Sequence, residues 1–170
     1  MQVKWIGALC VIAGCGGYGF TMALQHIRRI QFCRQFLTML EYIACELEYR
    51  ATALPQLCLQ AAERTQGLLQ RCLITFSGEL DAQIAPDPRL CMGYALEKLG
   101  RVDMFHRNIL IEFAGNLGQF DVSGQIIGLN QVKQRVLEKL NALSENKDSR
   151  LRSYQTLGLC AGAALAILLV

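Results

Sequence analysis

Proline is scarce in this sequence: three residues, at 55, 86 and 88. A proline inside a helix removes a backbone hydrogen bond and clashes with the preceding turn, so few helix breaks are enforced. Strand signals are missing too. There is no alternating β-branched run and no Asn-Gly hairpin turn. Motifs of common chemistries are equally absent: no GxxxxGKS/T phosphate loop, no HExxH metal pair, no GxSxG nucleophile turn. The two histidines, His26 and His106, have no Cys, Asp or Glu four residues on. Glu46 and Glu48 are two apart, as are Glu79 and Asp81, so neither pair shares a helix face. An enzyme is not expected, nor a cofactor, nor a metal.

Cysteine is abundant, but its spacing excludes the usual sites. The eight residues lie at 10, 15, 33, 45, 58, 72, 91 and 160. No two are separated by two residues, which excludes a zinc knuckle and a CxxC redox pair. Five of them sit in amphipathic stretches among Leu, Ile, Phe and Met. They read as small apolar core residues in a reducing compartment.

Charge is missing from two long apolar stretches at the ends of the sequence. Trp5 to Leu24, "WIGALCVIAGCGGYGFTMAL", is a run of 20 uncharged residues, about the length that crosses ~30 Å of hydrocarbon. Ile12-Ala13-Gly14-Cys15 also fits a lipoprotein processing site. The apolar run continues past Cys15 to Leu24, however, and a cleaved signal has a shorter core. A retained span is therefore expected, with a lipoprotein processed at Cys15 as the alternative. The other stretch, Tyr154 to Val170, is apolar on all sides from Leu157, unlike a surface helix. It is expected to be a second span, although its apolar part is short.

Arg28, Arg29 and Arg34 follow the first run, and Lys147, Arg150 and Arg152 precede the second. Positive flanks stay in the cytoplasm. The expected organisation is an N-terminal transmembrane helix over 1–24, a cytoplasmic helical bundle over 25–153 and a C-terminal transmembrane helix over 154–170, with both termini outside. The chain is 52% hydrophobic with a mean hydropathy of +0.26, high for a soluble protein and low for a polytopic one. The middle segment holds 16 of the 17 basic residues and all 14 acidic ones. That balance is too weak and dispersed for nucleic acid. The basic flanks suit lipid headgroups.

Helical periodicity fills the middle segment. Ile30, Cys33, Leu37, Leu40, Ala44 and Leu47 follow a 3-4-3-4-3 spacing, and Phe32, Phe36, Met39 and Ile43 widen the stripe. Thr52 is expected to cap a second helix with Pro55 in its first turn, where a missing amide costs little. Further helices are expected over 68–80, over 88–99 ending at Gly100, and from a cap at Asp103 to Leu117. Asp121 is expected to cap the last helix after Gly118. No proline or glycine interrupts between Gly128 and Gly158, so this helix is expected to run on into the second span.

The order "TALPQL", "LGQFD…Q" and "RSYQTLGLCAGAALAILLV" resembles stage III sporulation protein AB of endospore-forming bacteria. Thr52 to Leu57 is similar to the family's TPLPEAL-like segment, with Gln56 where glutamate is common. Leu117, Gly118, Asp121 and Gln125 match a second segment; Arg152 to Tyr154 with Leu157 and Gly158 match the closing helix. The resemblance covers essentially the whole chain. It implies an all-α fold, a compact antiparallel bundle between two terminal transmembrane helices, like one cytoplasmic module of the platform proteins of type II secretion and type IV pilus machines. Those platforms carry two such bundles, and the many cysteines here are also a departure.

The resemblance further implies a non-enzymatic assembly platform in the mother-cell membrane facing the forespore. Its partners would be a cytoplasmic secretion-type ATPase and other membrane components of the sporulation channel, with a homo-oligomer possible. A membrane-tethered helical regulator or ligand-binding enzyme is the alternative. Loops and helix starts present polar groups on a rigid scaffold, so the partner-binding candidates are Glu48, Thr52, Pro55, Gln56, Gly118, Asp121 and Gln125. Within the bilayer, Gly158, Gly162 and Ala166 recur every four residues, and Ala13 with Gly17 make a similar face. Small residues let helix backbones approach closely.

Overall fold

The computed structural model describes residues 2–50, 52–83, 85–118 and 121–169, with side chains described over 24–50, 52–83, 85–118 and 121–145. Every regular element among the described residues is an α-helix. In chain order these are α1 (Gln2–Tyr49), α2 (Leu54–Glu63), α3 (Gly67–Asp81), α4 (Pro88–Lys98), α5 (Met104–Ala114) and α6 (Val122–Leu169). The all-α expectation holds. Among the described residues no helix is long and apolar enough to cross a membrane. Apart from Leu24, the two expected spans fall outside the described side chains, as do Ala13, Gly17, Gly158, Gly162 and Ala166.

The chain divides into two units, Met1–Ile30 with Asn141–Val170, and Gln31–Leu140. In the first, the His26 imidazole Nε2 lies 2.9 Å from the Leu143 carbonyl, linking α1 to α6. The second is a helical bundle with a continuous apolar core. Phe36 is fully buried there, with its ring centroid 5.8 Å from that of Phe32 and 5.7 Å, edge to face, from that of Phe113. Aromatic pairs in this geometry are worth about 0.5–1.5 kcal/mol beyond their burial.

Contacts fix the helix directions. Ser77, late in α3, donates to the carbonyl of Pro55, early in α2, at 2.8 Å. Tyr42, near the end of α1, donates to Gln60 on α2 at 3.1 Å. Lys133 of α6 pairs with Glu41 of α1 at 2.8 Å, and Arg135 of α6 pairs with Glu112 of α5. With Arg89, at the start of α4, against Gly115 just past α5, these set neighbouring helices antiparallel.

Several helix ends differ from what their side chains suggest. Thr52 does not cap α2: Ala53 occupies the cap position, at φ −57° and ψ 136°, with no side-chain bond. Pro55 does sit in the first turn, its fixed φ suited to that place. Asp103 stands at the cap of α5 but makes no side-chain cap bond. The helix also stops short of Leu117. After Ala114 the amides of Asn116 and Leu117 bond three residues back, to Phe113 and Ala114 at 3.0 and 3.1 Å. This tighter winding satisfies the last carbonyls before the chain turns at Gly118. Asp121 caps α6 as expected, its Oδ1 accepting from the Gly124 amide at 3.0 Å. Asp87 caps α4 in the same way, through the Arg89 amide at 2.9 Å.

Candidate functional site

The seven partner-binding candidates gather at one end of the bundle, where α1 and α5 finish and α2, α4 and α6 begin. Gly118 brings the 52–57 and 117–125 segments together. Its φ of +76° is the left-handed conformation that glycine adopts freely. A Cβ there would lie 3.3 Å from Pro88 Cγ and 3.9 Å from Leu54 Cδ2. The turn after α5 therefore rests on the first turns of α2 and α4, and the two segments singled out in sequence meet.

Most of these residues are committed to the fold. The Pro55 carbonyl accepts the bond from Ser77, a serine only 3% exposed. Asp121 is exposed but holds the α6 cap, a contact worth about 1 kcal/mol. The Gln125 amide donates to the Asp121 carbonyl at 3.0 Å, and its side chain is half-buried. Thr52 is half-buried as well. Gln56 and Glu48 are exposed.

Glu48 opens onto a groove between α1 and α6 of about 290 Å³. Leu40, Ala44, Ile126 and Leu129 form its apolar lining, and Glu41, Cys45, Glu48, Asn130 and Lys133 its polar one. Ala44, expected on the core stripe, is only half-buried because it faces this opening. Tyr49 at the end of α1, and Val122 and Ile127 in the first turns of α6, are 76%, 43% and 60% exposed. Sequence reasoning missed the groove. It depends on α1 packing against α6 across most of the chain, and Glu41 with Lys133 gives no local signal.

Close approach at this end uses two more glycines. A Cβ on Gly115 would run into the Arg89 guanidinium, and one on Gly128 into the Asn116 amide. Asn116 donates to the Glu112 carbonyl at 2.8 Å. Glu46, one turn before Arg50, forms a 3.7 Å ion pair with it, and its Oε2 is buried without a hydrogen bond.

The thiols divide sharply. Cys33, Cys58, Cys72 and Cys91 are buried, and Cys45 is exposed. Burial pushes the Cys58 thiol up to about 12, with neighbouring Cys72 adding to the effect. Burial alone takes Cys72 to about 12. Cys33 rises to about 11, burial outweighing the opposing pull of Lys139. The Cys72 thiol sits 3.4 Å from the Met92 sulfur. Such protonated, enclosed sulfurs are poor nucleophiles and poor ligands. Among the described residues no three His, Cys, Asp or Glu side chains are grouped to hold a metal ion.

The family model of stage III sporulation protein AB matches residues 4–170. A solved structure of a stage III sporulation protein AB (SpoIIIAB) has a similar fold, with a TM-score of 0.62 at 18% identity. That likeness covers 72% of this chain and 98% of the other. No curated protein matches the chain. The chain belongs to the stage III sporulation protein AB family, a family of sporulation proteins.

Proposed function

We propose that this chain is a non-enzymatic membrane platform of a secretion-like complex acting in endospore formation. Helices over 1–24 and 154–170 hold it in the mother-cell membrane facing the forespore, both termini outside, with 25–153 in the cytoplasm. The bundle docks a cytoplasmic secretion-type ATPase, and the spans pack on each other or on other membrane components through Ala13, Gly17, Gly158, Gly162 and Ala166. Supporting the membrane part are the uncharged runs and their basic inner flanks.

The observation that carries the docking reading is the convergence of separate segments, 52–57 and 117–125, on one end of the bundle through Gly118. That end is tightly built, with two caps and three close-approach glycines, yet it exposes Tyr49, Val122 and Ile127. Exposed apolar side chains on a rigid scaffold suit a protein partner.

Copurification with the cytoplasmic secretion-type ATPase from a membrane extract tests the reading. Glu48→Lys should weaken copurification without lowering the melting temperature, because Glu48 is exposed. Asp121 is a poor choice for this test, since its reversal also removes a cap. An ATPase that never copurifies, or that binds Glu48→Lys as well as wild type, refutes the docking.

A further inference from the structure

We propose that the groove between α1 and α6 is the seat for a positively charged amphipathic helix of the docking partner; the partner's identity as the ATPase rests on the platform reading above. Antiparallel helices leave a linear trough between them, and a third helix fits it by lying along its axis. Ala44 and Ile126 are half-buried in this trough, able to accept further apolar contact. Val122, one turn before Ile126 on the same side of α6, is 43% exposed and extends the apolar strip. The groove, of about 290 Å³, is open to solvent rather than enclosed. It suits a few side chains projecting from a helix.

Charge selects the sign of that helix. Of the three charged residues lining the groove, Lys133 is already paired with Glu41 at 2.8 Å. Glu48 has no ion-pair partner among the described residues and is exposed. Glu41 and Glu48 are seven residues apart, two turns and about 10 Å along one side of α1. A helix presenting Lys or Arg at matching spacing meets Glu48 directly and shares Glu41 with Lys133. An acidic helix in the same place faces two carboxylates and is repelled. Rim charges of this kind govern specificity and association rate.

Cys45 gives the readout. It lines the groove and is exposed, whereas Cys33, Cys58, Cys72 and Cys91 are buried. With the full chain in a zwitterionic detergent, N-ethylmaleimide labelling of the Cys45 peptide is followed by mass spectrometry. The probes are two synthetic amphipathic helices of about five turns with the same leucine pattern, one lysine-faced and one glutamate-faced, and the secretion-type ATPase. The lysine helix should slow Cys45 labelling at a concentration at least about tenfold below that needed by the glutamate helix. Glu48→Lys should reverse that order, and Glu48→Gln should remove most of the difference. The ATPase should protect Cys45 in wild type.

Equal protection by the two peptides, no protection by either, or an unchanged order in both Glu48 variants overturns the proposal. An ATPase that copurifies yet leaves Cys45 labelling unchanged overturns the groove as its seat while leaving the platform reading intact. An ATPase that does not copurify sinks the platform reading, and the peptides then decide the groove alone.

Discussion

Glu79 is the charge most deeply enclosed in the bundle, and its pairing with Lys98 makes a quantitative prediction. The Glu79 side chain is 4% exposed, that of Lys98 61%, and Nζ lies 2.5 Å from Oε1. The lysine keeps most of its hydration; the carboxylate has lost nearly all of its own. Removing the cation alone leaves a buried charge that water cannot reach. Lys98→Met, which keeps the stem, should cost about 2–3 kcal/mol. This falls below the 3–5 kcal/mol typical when both partners are enclosed, because Lys98 is partly in water. Replacing both partners removes the orphaned charge, so Glu79→Met with Lys98→Met should cost about 1 kcal/mol or less. The double variant is thus more stable than the single one. Urea unfolding of the excised 25–153 segment, followed by the helical circular dichroism band, measures all three forms. The slope against urea must stay constant for the comparison to hold. A Lys98→Met loss under about 0.5 kcal/mol, the value of an ordinary surface pair, would refute the reasoning. So would a double variant less stable than Lys98→Met.

Gly118→Ala should lose about 1–2 kcal/mol in the same assay, since its φ of +76° strains any side chain and Pro88 stands 3.3 Å from the added carbon; a neutral result would mean the turn relaxes freely. Alkaline pH should destabilise the bundle through its thiols. The unfolded chain releases these protons near 9.0, the folded chain only at about 11 for Cys33 and about 12 for Cys58 and Cys72. Stability is therefore full below 9.0 and lost between 9.0 and about 12, at up to ~1.4 kcal/mol per pH unit for each thiol. Cys58→Ala should flatten the decline seen in urea midpoints across that window, and an unchanged slope counts against it. For topology, a reporter active only outside the membrane should work after Val170 and stay silent near Gln83; the reverse pattern overturns the orientation.

The helices were legible because their breaks are chemical and local. Pro55 opens α2, Pro86 and Pro88 end the loop before α4, and Gly118 and Asp121 punctuate the step from α5 to α6. The core stripe was legible for the same reason: Cys33, Phe36, Leu40 and Ile43 keep helical spacing and are buried. Caps were less so. Thr52 and Ala53 differ by one residue, and only the backbone angles decide which of them ends the extended stretch. The close of α5 was misjudged because an i+3 hydrogen-bonded turn preserves apolar periodicity for a further residue or two while leaving the α-helix. Leu117 is fully buried although it lies outside the helix. The groove was not legible at all. Its two walls come from opposite ends of the chain, and Glu41 and Lys133 look like ordinary solvated helix residues until α1 and α6 are side by side.

That difference bears on where the proposed docking would occur. Pro55, Gly118 and Asp121 distinguish the candidate segments, and each of them is consumed by folding. Pro55 receives Ser77, Gly118 makes room for Pro88 and Leu54, and Asp121 holds a helix start. A partner that bound them directly would compete with contacts worth about 1 kcal/mol each. Gln56 and Glu48 carry no such obligation and are exposed. Glu48 lies beside an apolar opening, where a charge contact and buried area can add. On the docking proposed above, the sequence motif and the docking surface have separate tasks: the motif residues fix the end of the bundle, and the wall of α1 beside them would meet the partner.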